Sequence, residues 1–217
     1  MVSSAAPRGD LRVSVPFTFA IGPLAWMLPG FLDQYPQVRV VLAVDNRPVD
    51  LLTSDIDVAI RIGPLKASDL IARRLARFSM WPCAASSYLA RHPQIVKPDD
   101  LANHTLFAHA DHRLTWPFRK AGRAVCDFSF APGVVVPEPD VLRSILIRGA
   151  GIGLLPDFHA MGPIAEGSLI RVLPKYEVGT VDAHAIYPSH RSLSAKVRVF
   201  IDALINECAR MTASSPP

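Results

Sequence analysis

The sequence predicts an α/β protein built as a clamshell: two Rossmann-like, doubly wound lobes joined by two crossover strands. Three observations carry this. Ile56-Asp57-Val58-Ala59-Ile60-Arg61-Ile62-Gly63-Pro64 reads as a buried parallel strand running into a Gly-Pro loop, and with the chain before it makes three strands alternating with two helices. After an extended piece at Phe78–Ala84 the pattern begins again, and Ile152-Gly153-Leu154-Leu155-Pro156 repeats the strand-then-proline layout. Late in the chain Ala183–Tyr187 is extended and returns to the first half. Residues 11–82 with 183–209 therefore form a discontinuous first lobe and 83–182 the second, between a flexible leader (1–10) and a flexible tail (210–217).

Taken in order, Leu11-Arg12-Val13-Ser14-Val15 alternates as a strand does, and Pro16-Phe17-Thr18 turns the chain with Thr18 placed to cap a helix. Leu24, Leu28, Phe31, Leu32 and Tyr35 recur at helical spacing, so that helix lays one face on the sheet, with a kink expected at Pro29. Val38–Val44 is a β-branched strand, and Val49–Thr53 a short helix leading to the Ile56 strand. Leu70–Leu75 and Phe78–Ala84 read as two more extended pieces. In the second lobe, Ser86–Ala90 and Pro98–Leu101 open short helices, and Leu106–Ala108 is a strand. Leu114–Phe118 and Ala124–Phe130 form a hairpin around Ala121-Gly122, followed by a buried strand at Val134–Val136. Asp140 precedes an amphipathic helix carrying Val141, Leu142, Ile145 and Leu146, which Gly149 or Gly151 ends. Ser194–Cys208 is a final helix with Val197, Phe200, Ile201, Leu204 and Ile205 on one face.

Composition narrows the function. The chain has 217 residues, 50% of them apolar, enough for real cores. No apolar run reaches the ~18 residues a membrane helix needs, and residues 1–10 lack the apolar core of a secretory signal, so a cytoplasmic location is expected. Cys83, Cys126 and Cys208 are distant from one another and suit reduced thiols better than a disulfide framework or a zinc site. The net charge of +4 comes from scattered basic residues, which marks a solvated surface rather than a nucleic-acid footprint. There is no Gly-x-Ser-x-Gly elbow, Walker loop or dinucleotide fingerprint, so neither catalysis nor a cofactor is expected.

Several stretches together resemble the effector-binding half of LysR-type transcriptional regulators, a fold similar to type 2 periplasmic binding proteins. They are Leu11–Pro16, Leu28-Pro29-Gly30-Phe31-Leu32 with Tyr35-Pro36, Asp57–Gly63, Gly149–Pro156, and Tyr187-Pro188-Ser189 with Leu193–Val197. The resemblance implies a small organic effector, expected to be anionic, held between the lobes. It also implies a homodimer, or a tetramer for a full-length regulator, in which the helix Thr18–Tyr35 meets the helix Val141–Arg148 of a second copy. The family's helix-turn-helix would precede Leu11, so this stretch is expected to leave DNA binding to that segment and to have no membrane partner. Pro137-Glu138-Pro139 departs from the Asn-Asp-Gly of similar proteins and stiffens that lip of the cleft. A solute receptor of an import system is the alternative reading.

The candidate effector contacts are loops beyond strand ends, where open α/β sheets bind ligands. Pro16, Phe17 and Thr18 offer a hydroxyl and amides at a helix start, suited to a carboxylate, although Thr18 is equally suited to a purely structural cap. Arg61, Ile62 and Gly63 follow the third strand, with pairing to a neighbouring carboxylate as the common alternative for Arg61. From the second lobe come His109, at a strand end, and Trp116 as a flat apolar wall. His109-Ala110-Asp111-His112 has loosely metal-like spacing, but without a third ligand a solvated loop is the better reading.

Overall fold

The computed structural model describes residues 6–46, 51, 55–65, 69–109, 114–188 and 194–213, which fall into two compact units. The first holds the chain up to Arg77 and again from Asp182, and the second runs from Phe78 to Val181. The short helix expected at Val49–Thr53 lies outside the described residues, apart from Leu51, which is in a turn.

In the first unit, strands β1 (Gly9–Val15), β2 (Val38–Val44) and β3 (Val58–Ile62) are parallel, in the order β2-β1-β3. Parallel sheets are covered on both faces, so their strands read as near-continuous apolar runs. That explains why Leu11, Val13, Val15, Val58 and Ile60 are buried, and also why Ser14 is buried although simple alternation assigns it to solvent. The helical stretch that follows β1 begins at Phe17, one residue earlier than the sequence suggests. It comprises α1 (Phe17–Phe19), a π-helical turn at Ala20–Leu24, and α2 (Ala25–Gln34). Pro16 takes the cap position with extended backbone, its carbonyl accepting from the Ala20 amide at 2.9 Å, so Thr18 is not the N-cap but a buried residue of the first turn.

The break in this stretch is at Gly22 (φ −98°, ψ −114°) and not at Pro29, through which α2 runs. Proline disfavours helical backbone in the residue before it, and Gly22, ahead of Pro23, yields most readily. The inward row is Leu24, Met27 and Phe31, whereas Leu32, expected inside, is exposed. Phe31 packs edge-on against Phe200 (5.4 Å) of the last helix, α6 (Ala195–Ala213), which buries Val197, Phe200, Ile201 and Leu204, with Ile205 half-buried. Each such side chain contributes roughly 1.5 to 3 kcal/mol.

The pieces expected at Leu70–Leu75 and Phe78–Ala84 are one strand, β4 (Ile71–Ala84), which leads from the first unit into the second. A later strand, β11 (Thr180–Tyr187), returns the chain to the first unit. The second unit begins with α3 (Ser86–Leu89) and a 3-10 turn over Pro98–Asn103. A parallel pair follows, β5 (Phe107–Ala108) with β8 (Val134–Val135), along with the hairpin β6 (Leu114–Lys120) and β7 (Arg123–Phe130). Val134, expected to be buried, is 40% exposed, and Val136 just beyond the strand is the buried one. Helix α4 (Pro139–Ile147) contains Asp140 rather than following it, since Glu138 holds the cap position.

Gly149 (φ +80°) stops α4, while Gly151 serves a different purpose: a Cβ there would lie 2.5 Å from the Thr105 carbonyl oxygen and 2.7 Å from the Phe107 ring. Strands β9 (Gly153–Pro156) and, after α5 (Asp157–Ala165), β10 (Ile170–Arg171) pair antiparallel with the second half of β4. Sequence reasoning missed α5 because Gly162-Pro163 lies inside it. β11 (Thr180–Tyr187) then enters the first unit, where it pairs antiparallel with β3 from Ala183↔Ile62 to Ile186↔Ala59.

Candidate functional site

The register of the first unit brings three strand ends to one edge. Val15 stands beside Val44, and Ser14 beside Ala59, so the carboxyl ends of β1, β2 and β3 share a side. The candidates Pro16, Phe17, Thr18, Arg61, Ile62 and Gly63 all lie there. Arg61 is half-buried and folds back on the sheet, donating from Nη1 to its neighbour Ile60 O (2.6 Å) and from Nη2 to Ser14 Oγ (3.1 Å). Burial holds its guanidinium below the usual value while the negative charge of Asp45, just past β2, opposes that shift. The charge survives, because an arginine starts far above neutrality.

The loop after β2 is tied to the same edge. The Asp45 amide donates to Val15 O (3.0 Å), and Asn46 Oδ1 accepts from the Phe17 amide (3.2 Å), so one of the amides expected to face a ligand is already engaged. The Phe17 ring is 46% exposed and forms an apolar wall, whereas Thr18 is buried. Gly63 (φ +98°) donates its amide to Asp182 O (2.9 Å). The edge thus joins a half-buried cation, a buried hydroxyl, a helix start and an exposed aromatic ring, a set that suits a small anion with an apolar body. Ser14, Asp45 and Asn46 were missed in the sequence. The readable signal was Ser14, a polar residue in a strand covered on both faces, which requires a partner.

The two second-unit candidates behave differently. His109 is exposed just past β5, and residues 110–113 lie outside the described set. Trp116 is 3% exposed and packs edge-on against Phe130 (4.9 Å), inside a core with Tyr88, Leu101, Phe118 and Ile152. Its ring is core in this unit rather than an open wall, because β6 turns that face inward.

The second unit also buries polar chemistry of its own. Asp157 Oδ2 accepts from the Ser79 amide (3.0 Å) and its Oδ1 from the Phe158 amide (2.7 Å), while burial pushes its carboxyl above the usual range. His159 Nε2 lies 3.2 Å from Asp140 Oδ1, and Arg143 Nη2 3.4 Å from the same oxygen. Burial, helped by the Arg143 charge, holds His159 down to about 4, so the imidazole is neutral at physiological pH. Cys83, Cys126 and Cys208 are free thiols, with burial pushing Cys83 up to about 12. Among the described residues no cluster of three or more His, Cys, Asp or Glu side chains is placed to hold a metal, and no described helix is long and apolar enough to cross a membrane.

A family model described as the LysR substrate binding domain matches residues 4–209. The chain belongs to this family. It is a ligand-sensing regulatory domain of the LysR type. The regulatory domain of CrgA, a LysR-type transcriptional regulator from Neisseria meningitidis, superposes with a TM-score of 0.81 at 29% identity, covering 93% of this chain and all of that one. Full-length AphB of Vibrio cholerae, described as a virulence activator, gives a TM-score of 0.75 at 27% identity, over 93% of this chain and 69% of AphB. In sequence, the regulator PtxR of Pseudomonas aeruginosa is 31% identical over 94% of the chain and 66% of its own length. The transcriptional activator AaeR of Escherichia coli is 32% identical over 91% and 64%. The chain therefore spans somewhat less than two thirds of these curated relatives. Their names are those of transcriptional regulators, which speaks against the import-receptor reading.

Proposed function

We propose that the strand-end edge of the first unit binds a small organic anion, a carboxylate with an apolar body, and that this binding is the signal the domain senses. The observation that carries this reading is the half-buried Arg61 guanidinium, set against Ser14 beside the helix start at Pro16, Phe17 and Thr18. In this reading Arg61 supplies charge, Thr18 its hydroxyl, Ile62 and Gly63 the loop that bounds the site, and the exposed Phe17 ring the apolar contact. The ligand alters the domain only through a difference in its affinity for two states of the protein. Calorimetric titration with an organic acid found by thermal-shift screening tests this. Arg61→Ala is expected to weaken binding by about 1.5 to 3 kcal/mol, and Thr18→Ala by ~1 kcal/mol. Unchanged affinity in both variants, shown to be folded by circular dichroism, overturns the assignment.

The same reading extends to assembly and to the whole protein. Leu28 and Leu32 of α2 with Val40 and Leu42 of β2 line a surface hollow of about 400 Å3, and Val141 and Ile145 of α4 line another of about 390 Å3. Exposed apolar faces of this kind suit a twofold pair of copies in which α2 of one meets α4 of the other. In the same reading the full-length protein is a transcriptional regulator that recognises DNA through a helix-turn-helix segment, with these 217 residues contributing sensing and pairing; the names of its relatives as HTH-type regulators support it.

A further inference from the structure

A separate hollow of about 330 Å3 lies within the second unit, and none of the residues proposed above for the ligand site lines it. Ser79 and Trp81 of β4, Arg119 of β6, Arg171 of β10, Glu177 and Thr180 line it. The Arg171 guanidinium carbon sits 4.5 Å from the centre of the buried Trp81 ring, a cation–π arrangement that fixes the plane of the fork. Its one hydrogen bond among the described residues is long, Nη2 to Tyr176 O at 3.5 Å, and the buried Nε finds no acceptor there. The Asp157 carboxylate acts on Arg171 as a nearby charge, with no hydrogen bond between them among the described residues. Arg119 is joined to Glu177 through the backbone, N to O at 2.8 Å and the reverse at 2.9 Å, and both residues line the hollow.

A half-buried guanidinium held by an aromatic face still presents parallel donors that match an oxyanion, and a second arginine lines the same hollow. We propose that this hollow binds a small oxyanion, a phosphate or carboxylate group, between Arg171 and Arg119. The Ser79 and Thr180 hydroxyls stand at its edge as neutral donors, and Glu177 is the opposing charge that limits affinity. Ser79–Trp81 of β4 and Thr180 of β11 belong to the two strands that continue into the first unit, and Met80 N donates to the carbonyl oxygen of Gly179, just before β11, at 3.0 Å. An anion here therefore bears on both connecting strands and gives the domain a second chemical input.

The test is a titration of the nitrogen-15 labelled chain with inorganic phosphate, and separately with acetate, at ionic strength held constant with sodium chloride. The indole N–H signals of Trp26, Trp81 and Trp116 are assigned from single Trp→Phe variants. The expected result is a saturable shift of the Trp81 signal while Trp26 stays still. Arg119→Ala and Arg171→Lys should each raise the dissociation constant about ten-fold, and Glu177→Gln should lower it. Opposite signs at Arg119 and Glu177 separate ligand binding from a general loss of structure. Saturation by phosphate alone assigns a phosphate site, and saturation by both anions a general oxyanion site. No saturable shift with either anion, or midpoints unmoved in both arginine variants, overturns the proposal.

Discussion

Removing the Asp57 carboxylate should be among the more damaging single changes in the first unit. Asp57 is almost fully buried at the entrance to β3. Its Oδ2 accepts from the Arg12 amide (3.0 Å) and from Lys196 Nζ (3.1 Å), and its own amide donates to Arg12 O (2.9 Å). Lys196 also donates to Asp10 O, so one ammonium joins the first turn of α6 to β1 and β3. A lysine at a helix N-terminus is placed against the helix dipole, and only such partners make the position favourable. The Lys196 side chain is 21% exposed, so Asp57→Ala leaves a largely buried cation without its carboxylate, a loss of about 3 to 5 kcal/mol. Asp57→Asn keeps an acceptor for Arg12 and should lose less, about 1.5 to 3 kcal/mol. Lys196→Met in the Asp57→Ala background removes the stranded charge and should recover part of the loss, so the double-mutant cycle gives a coupling energy well above zero. Urea unfolding followed by circular dichroism measures the parent, the Asp57→Ala, Asp57→Asn and Lys196→Met single variants, and the double variant. A loss below about 1 kcal/mol for Asp57→Ala would refute the claim that this pair ties α6 to the sheet.

Three further outcomes follow from the packing. Since His159 is held at about 4 against an ordinary ~6.5, the unfolded chain binds the extra proton first; this stabilisation is complete above pH ~6.5 and is lost as pH falls toward 4, by about 2 kcal/mol between pH 7 and 5. Thermal unfolding at the two pH values should show that loss in the parent and not in a folded His159→Phe variant. Gly151→Ala, whose new methyl would meet the Thr105 carbonyl, should destabilise the second unit by about 1 to 3 kcal/mol in the same assay, and a neutral result would contradict the close approach. If the proposed pairing holds, Leu32→Glu, on the exposed face of α2, should convert the dimer to a monomer by sedimentation without lowering the melting temperature; an unchanged mass would remove α2 from the interface.

Much of the architecture was legible because parallel strands write themselves as β-branched runs. Val38–Val44 and Asp57–Ile62 needed no tertiary information, nor did the hairpin turn at Ala121 (φ 49°) and Gly122 (φ 74°). The errors have physical causes. Gly162-Pro163 reads as a stop, yet α5 continues through it. β4 read as two pieces because Arg77 interrupts the apolar pattern on its exposed half, where it pairs with Asp182. Leu28 and Leu32 fit the helical period, but the turn at Gly22 rotates α2 so that Met27 takes the inward place. For the proposed site, strand-end logic put the Thr18 and Arg61 loops on one edge of the sheet, and the register has them there. It could not find Asp45 and Asn46, whose part depends on which strand lies beside which, nor foresee that Trp116 is needed to fill a core.

The central claim is that the strand-end edge of the first unit is where this LysR-type domain senses its ligand. Backbone amide shifts recorded while an organic acid from the thermal-shift screen is titrated into the labelled chain test it most directly. The account predicts saturable shifts largest at Phe17–Phe19 and Arg61–Gly63, abolished by Arg61→Ala. Saturable shifts that leave those residues unmoved and persist in Arg61→Ala would contradict it.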